Sequence, residues 1–410
     1  MTGSGTQQDP YIIEDVNDLQ AVENDLTAYY ELGQDIDASA TQTWNWDGTK
    51  YLGFAPIGDW ATRFKGNFDG KGFKITGLFI NRPTEQCVGL FGFADSSLDW
   101  GNLALQNVTL KDINITGGDH YVGGLVGATD CSPRIINCHV TGSLTVASGG
   151  SRFHGGLAGL CDGYVADCSF FGTITVTDTT GDRYWTLGGL IGEHRGDGDF
   201  GFIITRCHSE GSIICSGVAG SQFDNIGGLV GIDGGFAPPT IQQCYSTMNI
   251  TINAPGAAAI FCIAGFVGGD STTSGISDCY ARGDVTIEGD PDNIHYIAGF
   301  IAFNNGRTAR CYSTGLITTN GGTLIGGFCG KLSLVSITDS FWDTETSGTA
   351  TSDGGTGKTT AEMKTKSTFT DAGWDFTTIW DIDGITNDGY PFLDYRPPVG
   401  YPYVQAIIIG

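Results

Sequence analysis

The sequence predicts an all-β protein whose chain winds into a parallel β-helix of about eight or nine coils. Three features predict this fold class: a recurring Gly-Leu-x-Gly element, a cysteine-centred segment after most copies, and alternating apolar residues beyond the cysteine. Alternation with a period of two residues is typical of a strand with one buried face. Glycine is extreme, at 65 of 410 residues, so we expect many tight bends between short strands.

The Gly-Leu-x-Gly element and its close relatives mark successive coils. The copies begin at Gly89, Gly124, Gly156, Gly189, Gly228, Gly265, Gly299 and Gly327. The shortest interval, from Gly299 to Gly327, is 28 residues, and the longest, from Gly189 to Gly228, is 39 residues. This variation does not suit a rigid helical repeat, but it suits a solenoid whose loops differ in length.

Cysteines recur at one equivalent position of the repeat. They are Cys138, Cys168, Cys207, Cys244, Cys279 and Cys311, and Ser340 takes the position in the last copy. Because successive coils stack ~4.8 Å apart, we expect these thiols to form an interior column of small apolar side chains. Their spacing lacks the C-x-x-C pattern of zinc sites. The sequence leaves open the disulfide state of the other six, Cys87, Cys131, Cys161, Cys215, Cys262 and Cys329.

The residue before each of these cysteines is often charged. The row reads Asn137, Asp167, Arg206, Gln243, Asp278, Arg310 and Asp339. Since carboxylates alternate with arginines, the row predicts a compensated charge ladder rather than a metal cage or a catalytic acid pair. No cofactor is predicted. Two acidic loops, 192–200 and 381–389, have calcium-like spacing without the closing glutamate of an EF-hand, so the sequence does not decide whether a surface metal binds.

The residue after each cysteine is expected to face outward, and it is often aromatic. The row reads His139, Ser169, His208, Tyr245, Tyr280, Tyr312 and Phe341. An exposed aromatic column could stack on sugar rings, so the candidate ligand-binding residues are His208, Tyr245, Tyr280 and Tyr312. The alternative is a structural ladder covered by a loop.

Charge and composition exclude several function classes. The net charge is −25, with 45 acidic and 20 basic residues, which argues against nucleic acid as a partner. No apolar run approaches the ~20 residues that cross a bilayer, and no secretion signal is visible at the start of this chain. Gly357-Lys358-Thr359 resembles the end of a phosphate-binding loop, but Ser352 stands where that loop needs its first glycine, so a turn is predicted.

In these repeats the chain resembles the GLUG-motif proteins, surface proteins of bacteria, archaea and viruses named after the Gly-Leu-x-Gly element. The segments "FKGNFDGKGFKITGLFI" and "WDIDGITNDGYPFLDY" are also similar to the first and last parts of such proteins. The resemblance implies a right-handed parallel β-helix of the kind found in adhesins, haemagglutinin-like exoproteins and large surface proteases. It transfers no catalytic residue, because the motif is architectural. The chain departs from the family in showing no cell-wall sorting motif.

The predicted organisation has four parts. They are an N-terminal cap with leading strands at 1–65, the GLUG-type β-helix at 66–345, a C-terminal cap at 346–395, and a Pro-rich strap with an apolar docking tail at 396–410. Asn17 is the expected N-cap of a short helix that covers the first coil, with Leu19, Val22 and Leu26 on one face. The tail is expected to dock on a neighbouring subunit or on its own rod.

The function predicted from the sequence is that of a non-enzymatic, elongated surface or structural protein for adhesion or assembly. It would be exposed on a virus particle or a cell surface and would present loops on a rigid β-helix. Its expected partners are its own subunits or a neighbouring structural protein, with a cell-surface glycan as a further candidate. The alternative is a polysaccharide-binding or polysaccharide-degrading β-helix enzyme, which would show a groove lined by several carboxylates with shifted pKa values.

Overall fold

A computed structural model of the chain shows four sheets of parallel strands wound into a solenoid. It describes residues 1–96, 103–118, 120–131, 133–147, 152–181, 184–195, 203–234, 240–270, 275–333 and 335–394. Strands that are neighbours in a sheet come from successive coils, as a parallel β-helix requires. The all-β solenoid predicted from the repeats is confirmed.

Each coil visits the four sheets in the same order. In one coil, Tyr121–Gly123 belongs to sheet 1, Val126–Asp130 to sheet 2, Arg134–Ile136 to sheet 3 and His139–Val146 to sheet 4. The Gly-Leu-x-Gly element forms the corner between sheets 1 and 2, and its leucine, Leu125, is fully buried. The repeat of the sequence is therefore one winding of the backbone.

Sheets 1 and 2 flank this corner along the rod. Sheet 1 consists of Cys87–Val88, Tyr121–Gly123, Phe153–Gly155, Tyr184–Gly188, Gln222–Gly227, Ala259–Ala264, Ile294–Ala298 and Leu324–Gly326. Sheet 2 consists of Phe91–Asp95, Val126–Asp130, Ala158–Asp162, Ile191–Arg195, Val230–Asp233, Val267–Asp270, Ile301–Asn304 and Cys329–Leu332. Eight stacked strands are joined by seven complete turns, so the predicted count of eight or nine coils is slightly high.

Sheets 3 and 4 extend further toward the N-terminus, because the segment before Gly89 adds strands to these two sheets. Sheet 3 consists of Tyr11–Ile13, Tyr29–Leu32, Asn67–Asp69, Ala104–Gln106, Arg134–Ile136, Tyr164–Ala166, Ile203–Thr205, Thr240–Gln242, Gly275–Ser277, Arg307–Ala309 and Ile337–Thr338. Sheet 4 consists of Ile36–Asp37, Lys74–Thr76, Phe79–Arg82, Thr109–Gly117, His139–Val146, Ser169–Thr177, His208–Ser216, Tyr245–Ala254, Tyr280–Ala281, Val285–Gly289, Tyr312–Ser313, Ile317–Thr319, Phe341–Asp343 and Thr356–Lys358.

Helices are short, and all but the 3₁₀ helix Pro291–Asn293 lie near the two ends of the described chain. The α-helices are Val16–Gln20, Thr360–Met363 and Lys366–Thr370, and the 3₁₀ helices are Ala21–Asn24, Ser39–Thr43, Pro291–Asn293 and Thr386–Gly389. The first helix is capped by Asp15, whose carboxylate accepts backbone hydrogen bonds from Asn17 and Asp18, both at 2.8 Å. The predicted cap, Asn17, is therefore wrong by two residues. Leu19 and Val22 are buried in the core.

The repeated cysteines lie inside the winding and form one column. The backbone N–H of Cys138 donates to the sulfur of Cys168 at 3.4 Å, and the same contact links Cys168 to Cys207 and each later pair as far as Cys279. The column ends at Cys311, whose N–H donates to the hydroxyl of Ser340 at 3.1 Å. All twelve cysteines of the chain are free thiols.

The residue before each column position turns the chain from sheet 3 into sheet 4. These residues, Asn137, Asp167, Arg206, Gln243, Asp278, Arg310 and Asp339, all have φ between 50° and 56°. Asparagine and aspartate tolerate this left-handed conformation best among residues that carry a side chain. The sequence predicts a charge ladder through Asp278, Arg310 and Asp339 in the same row, and part of it is present: Arg310 pairs with Asp278 at 2.7 Å, and Arg206 pairs with Asp167 at 2.6 Å.

The C-terminal part of the chain closes the solenoid. Thr356–Lys358 pairs in parallel with Phe341–Asp343, and Thr359 then caps the helix Thr360–Met363 in a capping box with Glu362. The glycine-lysine-threonine stretch therefore belongs to the last coil and its cap. The predicted docking tail, 396–410, lies outside the described residues. Among the residues that are described, no helix has the length and apolar character to cross a membrane.

Candidate functional site

The predicted aromatic column is stacked, but the C-terminal cap covers half of it. The rings of His208 and Tyr245 are 4.7 Å apart, those of Tyr245 and Tyr280 4.8 Å, and those of Tyr280 and Tyr312 5.1 Å, all within 9° of parallel. Tyr312 is fully buried and Tyr280 is 5% exposed. The expectation that the whole row faces solvent is therefore wrong for these two tyrosines and for Phe341, which is 6% exposed.

The cap covers the tyrosines with its own aromatic cluster. Trp374, Trp380 and Tyr390 pack within about 6 Å of the Tyr312 ring, and the Tyr312 hydroxyl donates to the carbonyl oxygen of Pro391 at 2.6 Å. His208 and Tyr245 stay half-buried, and the Tyr245 hydroxyl donates to Glu210 at 2.9 Å. Little of the column is left for a ligand, and its main contact is with the cap.

The charge ladder and the cap are coupled through Asp278. This carboxylate is buried, accepts two hydrogen bonds from Arg310, and also accepts one from the Trp380 indole at 3.3 Å. Replacing Arg310 with alanine leaves the carboxylate without a cationic partner, so we expect Arg310→Ala to lower the free energy of unfolding by about 2 kcal/mol. The measurement is urea denaturation followed by circular dichroism.

Arg206 supplies the matched control for this substitution. It occupies the same position three coils earlier, but its partner Asp167 has a side chain that is 28% exposed and that water can solvate again. Arg206→Ala is therefore expected to cost less than about 1 kcal/mol. An equal loss in the two variants would contradict the role assigned to the buried carboxylate.

A second candidate region follows the outside of the corner between sheets 1 and 2. Here the outward side chains of the two sheets face each other: Tyr121 and Phe153 from sheet 1 pack with Phe93 and Leu160 from sheet 2, apart from the main core. The sharp bend that brings them together depends on glycine, because a Cβ atom on Gly127 would lie 2.7 Å from two backbone atoms of the preceding coil. We call this concave surface the outer groove.

Trp60 stands at the N-terminal end of the outer groove. Its indole is 50% exposed, lies parallel to the Tyr121 ring at 6.2 Å and meets the Phe93 ring edge-on at 5.3 Å. The loop that carries it is held by Asp59, whose carboxylate accepts hydrogen bonds from the backbone of Ala61 and Thr62 at 2.8 and 2.6 Å. The indole is thus a flat ring held in a defined position, with half of its surface exposed to solvent.

Arg63 restrains the same loop through contacts with two rings and two carboxylates. Its guanidinium lies 4.3 Å from the centre of the Phe93 ring and 5.7 Å from that of Trp60. It also pairs with Asp130 at 2.8 Å and Asp95 at 3.3 Å. A cation over aromatic faces, anchored by two carboxylates, restrains the rings that surround Trp60.

Two cavities adjoin Trp60. The larger has a volume of about 890 Å³, and its polar lining includes Glu23, Arg82, Glu85 and Gln86. The smaller has a volume of about 280 Å³ and is lined by Gln86, Tyr121 and Arg152, with His120 beside them. Gln86 and Trp60 line both cavities, so the two open on a common site. Sequence reasoning missed it, because Trp60 precedes the repeats and reaches the groove only through the winding.

Further along the outer groove lies a buried acidic residue. Burial raises the pKa of the Glu193 carboxyl group, although Arg195, 2.7 Å away, acts in the opposite direction. Burial also raises the pKa of Asp224. The pKa of the Cys262 thiol is raised to about 12 by burial and, to a smaller extent, by the negative charge of Asp224. Burial thus disfavours the charged form of both carboxyl groups, Glu193 and Asp224.

The acidic loops do not form a metal site within the described residues. No group of three or more His, Cys, Asp or Glu side chains there is placed to hold an ion. Most of the loop 192–200 lies outside the described residues. In the loop 381–389, the Asp383 carboxylate accepts hydrogen bonds from Ile385 and Thr386 of its own turn at 2.8 and 2.7 Å.

Comparisons with known proteins place the repeat in context. Residues 118–146 match the family described as the GLUG motif. A protein of Evansella cellulosilytica named as a Gly-rich membrane protein is 30% identical over 419 residues, which covers 96% of this chain and 45% of that protein. Halomucin of Haloquadratum walsbyi is 40% identical over 163 residues, or 38% of this chain and 2% of halomucin. The chain thus spans less than half the length of these curated relatives.

Proteins named as proteases are also similar. An immunoglobulin A1 protease of Streptococcus sanguinis is 29% identical over 217 residues, which is 53% of this chain and 10% of the protease. A crystal structure from Bacteroides ovatus, described as an immunoglobulin A1 protease, has 16% identity and a TM-score of 0.43 over 97% of this chain and 95% of that one. Another structure, named IgA1 Protease, has 19% identity and a TM-score of 0.46 over 73% of this chain and 21% of that one.

Proposed function

We propose that this chain, which is a GLUG-repeat β-helix protein, acts as a stiff, non-catalytic rod on an outer surface and carries an adhesive site along its length. The observation that carries the proposal is the unbroken stack of eleven parallel strands in sheet 3. At ~4.8 Å per strand, such a stack extends roughly 50 Å. Each coil contacts its neighbours through a continuous apolar core, which gives stiffness along the axis.

The groove favours binding over cleavage. Polysaccharide hydrolysis uses a pair of carboxyl groups on either side of the bond, one as acid and one as base or nucleophile. In the described part of the outer groove, Glu193 is the candidate acid, but its carboxylate is paired with Arg195 at 2.7 Å. An ion pair favours the deprotonated carboxylate, which cannot donate a proton. The larger cavity, beside Trp60, is lined by three carboxylates, from Glu23, Asp59 and Glu85. Burial raises the pKa of Asp59, but hydrogen bonds within the loop outweigh burial and leave the pKa lowered, and Arg82 pairs with Glu85 at 2.5 Å. We therefore assign the groove a binding role.

A cell surface is the proposed location. One relative is named as a membrane protein, and the net charge of −25 favours a soluble, well-hydrated exterior. The alternative setting is an exposed component of a virus particle. The proposal concerns this chain, which covers 45% of the relative named as a membrane protein.

Bead adhesion tests the proposal. Beads coated with the folded chain are expected to adhere to intact cells and to immobilised polysaccharides and proteins in a saturable manner, without release of fragments into solution. Beads coated with Gly189→Ala, a variant expected not to keep the rod folded, are the control. Time-dependent release of saccharide or peptide fragments would overturn the non-catalytic role, and failure to adhere to any surface would overturn the adhesive one.

A further inference from the structure

We propose that the site shared by the two cavities at Trp60 binds a short neutral oligosaccharide, with the indole as its stacking platform. The inference rests on the proposed adhesive function and names its ligand class. Four features of the site carry it: the exposed and rigid indole, the unpaired polar groups beside it, the balance of charge, and the size of the cavities.

The indole is held in place without being covered. A tryptophan buries 150–250 Å² when it is fully packed, so an indole left half exposed forgoes much of that stabilisation. Trp60 nonetheless has defined contacts with Phe93, Tyr121 and Arg63. A flat apolar face that is fixed before binding loses little entropy when a flat ligand stacks on it. The C–H face of a pyranose ring is such a ligand.

Polar groups around the indole are available for hydroxyl groups. The side chains of Thr84 and Gln86 are exposed, and neither makes a hydrogen bond to another described residue. The Gln86 amide offers two donors and an acceptor, and the Thr84 hydroxyl offers one donor and acceptor capacity. Glu85 is held at 2.5 Å from Arg82, and its remaining oxygen can accept a further hydrogen bond. A sugar ring has apolar C–H faces and polar hydroxyl groups around its edge, so an apolar surface surrounded by hydrogen-bonding groups suits it.

The charges at the site disfavour anionic ligands. The two cavities together are lined by three carboxylates, from Glu23, Asp59 and Glu85, and by two guanidinium groups, from Arg82 and Arg152, which leaves an excess of one negative charge. That excess of negative charge, on a chain of net charge −25, repels uronates, sialic acids and phosphates. The lining also lacks the row of exposed apolar side chains that an amphipathic helix needs, because Trp60 is the one large apolar side chain there that is mostly open.

The size of the site suits a ligand of a few sugar rings. The volumes of about 890 and 280 Å³ fall in the range of sites that hold small organic ligands. Both cavities meet at Gln86 and Trp60. A chain of two to four rings, by rough estimate, could occupy both with one ring over the indole.

Titration of the full chain with neutral oligosaccharides tests the inference. The probes are cello-, xylo-, manno- and chito-oligosaccharides, with oligogalacturonate and sialyllactose as acidic counterparts. At least one neutral series is expected to bind, with quenching of tryptophan fluorescence, and the acidic probes are expected not to bind. Trp60→Ala is expected to weaken binding by about tenfold or more, and Gln86→Ala by about threefold or more.

Trp46 provides the matched control. It is 58% exposed and packs against Tyr51, with the ring centroids 4.9 Å apart and the planes tilted by 59°, but it lines neither cavity at Trp60. Trp46→Ala is expected to leave binding unchanged. Equal thermal midpoints for the two variants show that Trp60→Ala folds, and Trp60→Phe is expected to restore part of the affinity.

Three outcomes would overturn the inference: no binding of any neutral series, tighter binding of the acidic probes, or equal loss of binding in Trp46→Ala. The result is separable from the proposed function. If coated beads adhere to cells but the chain binds no neutral saccharide, the adhesive function stands and only the sugar site is refuted. Saccharide binding without bead adhesion retains the site and removes the adhesive role.

Discussion

Gly189→Ala is expected to unfold the solenoid under conditions in which Gly275→Ala leaves it folded. Gly189 opens one of the Gly-Leu-x-Gly corners, and a Cβ atom there would fall well inside 3.0 Å of the Gly228 carbonyl oxygen in the next coil. The two coils are tied by the hydrogen bond from Gly189 to Gly227 at 3.0 Å and by that from Leu190 to Leu229 at 2.9 Å. The coils therefore cannot separate without losing these bonds, and we expect a loss of more than about 3 kcal/mol.

Gly275 isolates the steric cause. A Cβ atom on Gly275 would meet nothing within 4 Å, and neither glycine has a φ in the left-handed region. Gly275→Ala should therefore change the free energy of unfolding by no more than about 0.5 kcal/mol, or stabilise the chain slightly by restricting the unfolded state. Urea denaturation followed by circular dichroism measures both variants. Similar midpoints would show that the coils can move apart at the corner.

His154→Leu is expected to protect the protein against acid. His154 is fully buried, and neither ring nitrogen has a hydrogen-bond partner among the described residues. It occupies a row of sheet 1 in which the neighbouring coils carry Val122 and Leu187. Burial lowers the pKa of His154 to about 3, and His120 acts in the same direction. A leucine at this position would match the row and remove two buried polar atoms.

The direction of the pH effect follows from the lowered pKa. Unfolded His154 takes up a proton below about pH 6.5, whereas the folded protein keeps it neutral down to about pH 3. The stability that depends on the neutral ring is present above pH 6.5 and is lost at up to about 1.4 kcal/mol per pH unit as the pH falls. Wild type should therefore lose more stability than His154→Leu between about pH 6 and pH 4. Parallel losses in urea denaturation would contradict the prediction.

His194 acts in the opposite direction and belongs in the same pH series. It is buried, and its ring nitrogens contact Asp233 at 3.1 Å and the Gly163 carbonyl oxygen at 3.2 Å. Burial lowers its pKa, but hydrogen bonding and charge from Asp233 outweigh burial and leave the pKa raised. Its contribution to stability is present below about pH 6.5 and is lost as the pH rises through the folded pKa. Because wild type and His154→Leu both contain His194, its contribution is the same in each, and the difference between them reports His154 alone.

The sequence was sufficient for features that repeat. The cysteine column and the charge pairs at Asp167 and Asp278 are visible because a solenoid places equivalent residues of successive coils one above another. The left-handed turn before each cysteine is less visible. Asn137 and Asp167 are typical of such a turn, but Arg206 is not. At Arg206 the stacking of the coils imposes the left-handed conformation, although arginine does not favour it.

Features that do not repeat could not be predicted in the same way. The contact of Tyr312 with Pro391 joins residues 79 positions apart, and no period of the sequence signals it. Trp60 likewise meets Tyr121, which lies nearly two windings further along the chain. At the first helix, Asp15 and Asn17 are both good caps, and the two hydrogen bonds that Asp15 accepts decide between them.

The burial of the sulfur column should make the rod insensitive to oxidants. Eleven of the twelve cysteines are buried, and Cys131 alone is partly accessible. Burial raises the pKa of the column thiols Cys168, Cys244 and Cys279 well above the ordinary value of cysteine, so their reactive anions are scarce at neutral pH. The rod should therefore keep its shape in aerated and in reducing surroundings alike, since no crosslink must form before it folds and few of its thiols can be attacked once it has.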